Sequence, residues 1–158
     1  MHRSINRLKF NQHRLFGLLL LTFLLTTATS QFSDTLLNQT FYPTEKLIHY
    51  LKQPIFKGRP YFIELFVDIP DDELESVSIF FKTGGALDFE VIPIKLIRER
   101  YQFKYDPKTR TEKSFTYFFV VTTKDFSLYA IPLDDKGKIS PNIVFPVDPI
   151  KYYDSLGH

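Results

Sequence analysis

The chain is predicted to be all-β: an antiparallel sandwich of about seven or eight short strands, set behind an N-terminal export leader. Three observations carry the prediction. From Leu47 onward, apolar and polar residues alternate with a period of two, the period that sends successive side chains to opposite faces of a strand. Turn-forming residues punctuate that alternation roughly every 8–12 positions, the spacing of sandwich folds. Prolines and charges fall where sheet edges are needed, which suits an open sandwich better than a small closed barrel.

The leader is legible in its order of residues. Arg3, Arg7, Lys9 and Arg14 form a positive stretch without an acid, Leu15 to Thr26 is an apolar run, and Ala28-Thr29-Ser30 supplies small residues before Gln31. That is the arrangement of a secretory signal peptide. The apolar run is shorter than the about 20 residues a spanning helix needs, so cleavage after Ser30 is expected. A retained signal anchor is the alternative, and it would supply the only membrane contact. The expected location is periplasmic or secreted.

Cleavage also changes the charge. The chain has 20 Lys and Arg against 18 Asp and Glu. Four of the basic residues lie in residues 1–30, so 16 remain against 18 acids and the mature chain carries −2. The basic pI of the precursor therefore argues for no nucleic-acid partner. The 128 mature residues suit one core. There is no cysteine and no tryptophan, but there are 17 Phe and 9 Tyr. An exported domain without disulfides must be held by packing, and each well-buried aromatic contributes about 2–3 kcal/mol.

Four segments are expected: signal peptide 1–30, an N-terminal arm 31–46, a sandwich 47–149 and a tail 150–158. Asn38-Gln39-Thr40 in the arm fits a glycosylation sequon. Leu47 to Leu51 is the first strand. Tyr61 to Ile69 turns Tyr61, Ile63, Leu65, Val67 and Ile69 to one face, and Glu75 to Thr83 sends Val77, Ile79 and Phe81 inward. Pro70-Asp71-Asp72-Glu73 separates the two, and Gly84-Gly85 makes a tight turn. Phe89 to Ile97 is interrupted by Pro93, which marks an edge or a bulge. Arg98 to Tyr105 follows, closed by the Asp106-Pro107-Lys108-Thr109 turn. Ser114 to Thr123 is apolar on both faces, as a central strand is. Lys124-Asp125 turns into Phe126 to Pro132. Asp134 to Lys138 is a polar turn and Ile143 to Val147 the last strand.

Val77 to Ile94 (VSIFFKTGGALDFEVIPI) resembles the middle of a bacterial immunoglobulin-like or fibronectin-III-like module, in which a strand ending on an aromatic-basic pair runs through a turn into a strand that packs back. Tyr117-Phe118-Phe119-Val120, followed by a polar turn and a proline-rich exit, is similar too. The resemblance spans Leu47 to Pro149 and is architectural, because the core tryptophan and cysteine pair of antibody-type domains are missing. It implies an immunoglobulin-like sandwich with a structural, adhesion or protein-interaction role in the cell envelope. Fold by itself assigns no function.

The residues point away from catalysis. A serine or threonine nucleophile would need a histidine base, and the mature chain has only His49 and the terminal His158. Cys- or His-based metal binding has no ligand set. The cluster Asp71, Asp72, Glu73 and Glu75 lacks the alternation and glycine of a calcium loop, so no metal and no cofactor are expected. Glu64 and Asp68 share a strand face with Phe62 and Phe66, the minimum for a small carboxylate hydrolase, but 128 residues leave little room for a cleft beside a core.

The segment Lys95 to Lys113 is the distinctive one. Seven basic residues face three acids there, a local +4 on an acidic protein, and Tyr101, Phe103 and Tyr105 interleave with them. Arg98, Arg100, Tyr101, Lys104, Lys108 and Arg110 are the candidate binding residues. Cations beside aromatics can grip an anionic polymer, and outside the cytoplasm that means cell-surface glycan. A half-buried hairpin, aromatics in and charges out, produces the same pattern. The expected partner is another envelope or secreted protein, with Tyr152-Tyr153 as a further contact. A carbohydrate-binding module is the alternative.

Overall fold

The computed structural model describes residues 33–108 and 113–157; the leader and Arg110 lie outside them. The described chain is mostly strand, in two antiparallel sheets. The strands are β1 (Leu47–Ile48), β2 (Tyr61–Val67), β3 (Leu74–Thr83), β4 (Glu90–Pro93), β5 (Lys95–Ile97), β6 (Arg100–Tyr105), β7 (Phe115–Thr123), β8 (Leu128–Ile131) and β9 (Asn142–Val144). One sheet runs β1-β2-β6-β5. The other runs β4-β3-β7-β8, with β9 pairing the first half of β7 on the side where β8 pairs the second. A helical segment, α1, covers residues 33–38, and α2 covers Pro149–Ser155.

Nine strands replace the expected seven or eight because the Pro93 strand is divided. Residues up to Pro93 pair with β3; Ile94 N–H still donates to Val77 O at 3.0 Å; from Lys95 the chain pairs with β6. Proline ends one edge and the next strand forms the other sheet's edge. The opposite edge does the same. β1 pairs with β2, after which Ile55 and Lys57 bond Val147 at 2.8 and 2.9 Å in a parallel bridge beside β9.

The inward faces of both sheets build the main core. Ile63, Leu65, Phe103 and Tyr105 from one sheet meet Ile79, Phe81, Phe115 and Tyr117 from the other. Phe81 lies 5.1 Å from Phe103 and 5.4 Å from Phe115, and Tyr105 stacks on Phe115 at 4.5 Å. Each such pair adds about 0.5–1.5 kcal/mol beyond the area it buries.

The five-stranded sheet has a second core on its outer face, made by Phe80, Phe89, Phe118, Val120 and Ala130. It is covered by the segment read as an arm, through Leu36 and Phe41, and by Ile139. Phe41 N–H donates to Gly137 O at 2.7 Å, and Lys138 Nζ reaches Asn38 O. This is why β7 is apolar on both faces. Among the described residues, the outer face of the four-stranded sheet carries no such cover.

The turns follow their residues with two exceptions. Ala86 N–H closes Gly84-Gly85 on Thr83 O at 3.0 Å, and Asp106 Oδ1 caps Lys108 N at 3.0 Å. The stretch expected to be strand from Arg98 is different: Arg98 and Glu99 have φ of 50° and 64° and form a two-residue hairpin turn between Ile97 and Arg100. That turn normally takes Asn-Gly, so nothing in the sequence announces it. Phe126, expected to open a strand, also sits at positive φ, 67°. The first strand stops at Ile48 rather than Leu51. Helix α2 was likewise unmarked, being only seven residues long; Asp148 Oδ1 caps it on Ile150 N at 2.9 Å.

Two stability outcomes follow. Gly137 has φ of +72°, and a Cβ there would lie 2.4 Å from Phe41 O. Gly137→Ala should cost about 2–4 kcal/mol in urea unfolding, through loss of the Leu36–Phe41 cover. Arg98→Asn with Glu99→Gly should instead stabilise by about 1 kcal/mol, by relieving two left-handed residues.

Candidate functional site

The five basic-segment candidates among the described residues do not form one patch. Arg98 is at the turn tip, at the end of the sandwich shared by the 68–73 and 124–127 loops. Arg100 and Lys104 project from β6 on the bare outer face of the four-stranded sheet. Lys108 is at the far end, beyond Tyr105. Tyr101 turns the other way and packs against the core margin, while Phe103 and Tyr105 are buried. Burial and the neighbouring Asp71 hold the Tyr101 hydroxyl above its ordinary range. Period-two alternation thus places the aromatics in and the cations out.

The bare face has its own composition. Register pairs Phe62 with Lys104, Glu64 with Gln102, Lys95 with Gln102, and Ile97 with Arg100. Phe62 is 51% exposed at one end of this face, and Ile48 and Ile97 are exposed at the other, where register sets them level with Phe66 and Arg100. Glu64 accepts from Gln102 Nε2 at 2.9 Å and lies 3.8 Å from Lys52 Nζ. One carboxylate therefore sits among Lys52, Lys95, Arg100 and Lys104. The face is cationic with apolar side chains between the charges.

His49 occupies a different kind of position. Its Nδ1 lies 2.7 Å from Glu64 O and its Nε2 2.8 Å from Tyr117 Oη. A carbonyl only accepts, so Nδ1 carries the proton and Nε2 accepts from the tyrosine. The ring thereby joins β1 to β2 and to β7 of the other sheet, edge-on to Tyr117 and Phe119 at 5.6 and 5.1 Å. Burial lowers the His49 pKa against the opposing bond to Glu64, and burial pushes the Tyr117 hydroxyl far up. The sequence places His49 within the first expected strand, Leu47 to Leu51; its bond to Tyr117, 68 residues away, has no local signal.

The loop end carries a cleft of about 340 Å³ between Lys46, Asp72, Glu73, Lys124, Asp125 and Tyr129. Lys46 Nζ stands 5.4 Å over the Tyr129 ring, and Lys124 Nζ donates to Asp72 O. Asp125 accepts from Thr123 Oγ1, Ser127 N and Ser127 Oγ, and the threonine bond chiefly holds its carboxyl below the usual range. Among the described residues, no three His, Asp or Glu side chains are grouped to hold a metal ion, and no helix is long and apolar enough to cross a membrane.

The histidine gives a pH dependence with a fixed sign. Above its ordinary pKa of 6.5, folded and unfolded chains are both neutral at His49. Below it, the unfolded chain takes up a proton that the folded one resists, so stability falls until the lowered folded pKa is passed. Urea midpoints should be level from pH 8 to 7 and decline below 6.5, and His49→Gln should flatten that decline. A decline of equal size in the variant would place its origin elsewhere.

No known protein-family model matches this chain, and no curated protein matches it.

Proposed function

We propose that the chain is a non-catalytic, exported, immunoglobulin-like module of the cell envelope that binds another protein through the outer face of its four-stranded sheet. The observation that carries the reading is that bare face, where half-exposed Phe62 and exposed Ile97 lie among Lys95, Arg100 and Lys104, while the other sheet is covered on both sides. An exposed aromatic and exposed aliphatic side chains with few acids between them suit an interface.

The strand order supports the immunoglobulin-like part. Lettered in chain order, β1-β2-β6-β5 runs A-B-E-D and β4-β3-β7-β8 runs C′-C-F-G, the division such sandwiches use. The non-catalytic part rests on His49. Both of its ring nitrogens are committed to structural partners, which leaves no free histidine base among the described residues. Export rests on the leader, and N-terminal sequencing of the mature protein should begin at Gln31.

Phe62 beside Lys104 also favours a second reading, an anionic glycan stacked on the ring, since aromatic and cation together suit a charged sugar. One pair of experiments separates the two. Mild crosslinking in the producing cells should recover a discrete protein partner with wild type, and at least tenfold less with Phe62→Asp plus Lys104→Glu at an unchanged melting temperature. Equal recovery removes this face from the role, and no protein adduct at all removes the interaction reading. Retention on a glycan array at low salt, lost in the same variant, would replace protein by glycan.

A further inference from the structure

Phe126 breaks a local rule and gains nothing inside the chain. A bulky residue at positive φ is a backbone outlier, which normally persists because packing repays it. Here the residue is 87% exposed. Glycine or asparagine would hold the same turn with less strain.

The turn is nevertheless held firmly. Phe126 N–H donates to Thr123 O at 2.9 Å, Thr123 N–H to Ser127 O at 3.1 Å, and the Asp125 carboxylate gathers Thr123 and Ser127. Lys124 N–H fixes the loop to Glu73 O at 2.9 Å. The ring is therefore presented to solvent on a rigid base, the preorganisation that lowers the entropy cost of binding. Among the described residues, the other two non-glycine residues at positive φ, Arg98 and Glu99, lie at this same end. Strain of this kind collects at functional sites.

We propose that this loop end is a second recognition surface with Phe126 as its anchor. Its partner is a protein with an apolar pocket sized for an aromatic ring and rimmed by Lys or Arg. The rim follows from charge: Asp72, Glu73 and Asp125 outnumber Lys46 and Lys124 in the cleft beside the anchor. The same acids oppose an anionic lipid surface, so a membrane is the poorer fit. The inference does not rest on the outer sheet face, and variants of the two surfaces fail separately.

The test places photoreactive benzoylphenylalanine at position 126 in the producing cells. The control carries it at position 87, where Leu87 is 92% exposed at the far end of the sandwich. The expected result is a discrete protein adduct at 126 and none at 87. Excess purified wild type should suppress the adduct, and excess Phe126→Gly should not. Mass spectrometry should map the crosslink to an apolar pocket flanked by basic residues. Phe126→Gly should meanwhile raise the melting temperature by about 2–5 °C, because it removes the strained residue. The proposal is overturned by equal adducts at both positions, by none at 126, by suppression with Phe126→Gly, or by a fall in melting temperature. Flotation of wild type, but not Phe126→Gly, with phosphatidylcholine–phosphatidylglycerol vesicles would overturn it in favour of a membrane.

Discussion

The structure depends on one constraint, which is that β7 has no polar face. Phe115, Tyr117, Phe119 and Val121 point into the space between the sheets, and Phe118 and Val120 point the other way. A strand of that kind cannot lie on a surface. It needs a partner sheet on one side and a cover on the other, and apolar area left open on either side would cost about 25 cal/mol per Å². The four-stranded sheet meets the first requirement. The second is met by chain from both directions, residues 33–41 arriving from the N-terminal side and the 133–139 stretch from between β8 and β9, tied where Phe41 bonds Gly137. This dependence makes the segment before β1 part of the fold.

The same constraint leaves the molecule asymmetric. Apolar cover drawn to the five-stranded sheet is not available to the other, whose outer face must stay soluble. It does so with Lys95 of β5 and with Arg100, Gln102 and Lys104 of β6, which alternate with Tyr101, Phe103 and Tyr105. His49 then ties the two halves across the middle, through a carbonyl of β2 and the hydroxyl of a core tyrosine in β7. A buried tyrosine hydroxyl without an acceptor costs about 1–3 kcal/mol, and His49 Nε2 supplies that acceptor to Tyr117. The shortness of β1 is consistent with this: its position is fixed by a side-chain bond as much as by its two-residue ladder.

How much was legible follows from where the information lies. Alternation along β2, β3, β6 and β7 is local, so their faces could be read: Ile63 and Leu65 in, Val77, Ile79 and Phe81 in, β7 buried on both sides. Pro93 announced an edge, since proline cannot donate to a ladder, although not that the strand would change sheets there. Turn chemistry was reliable wherever Gly, Pro or Asx did the work. It failed at Arg98-Glu99 and at Phe126, where the residues carry no turn preference. The candidate site was legible as a list of cations but not as a place, because the single hairpin that holds them distributes Arg98, Arg100 and Lys108 to the turn tip, the sheet face and the far end.

That failure is not spread evenly through the fold. At the far end the chain uses residues suited to turning: Gly58 at φ 74°, Gly84-Gly85, and Asp106 capping ahead of Pro107. At the other end two adjacent loops are built from residues that resist it, Arg98 and Glu99 in one and Phe126 in the next. Each costs the folded chain about 1 kcal/mol relative to glycine, and none recovers that cost by burial, since all three are exposed. The same end also turns on Pro70-Asp71-Asp72, ordinary turn residues, so the strain is confined to Arg98, Glu99 and Phe126. Stability alone would favour glycine at all three positions, and the proposed recognition surface gives these exposed side chains a use that folding does not.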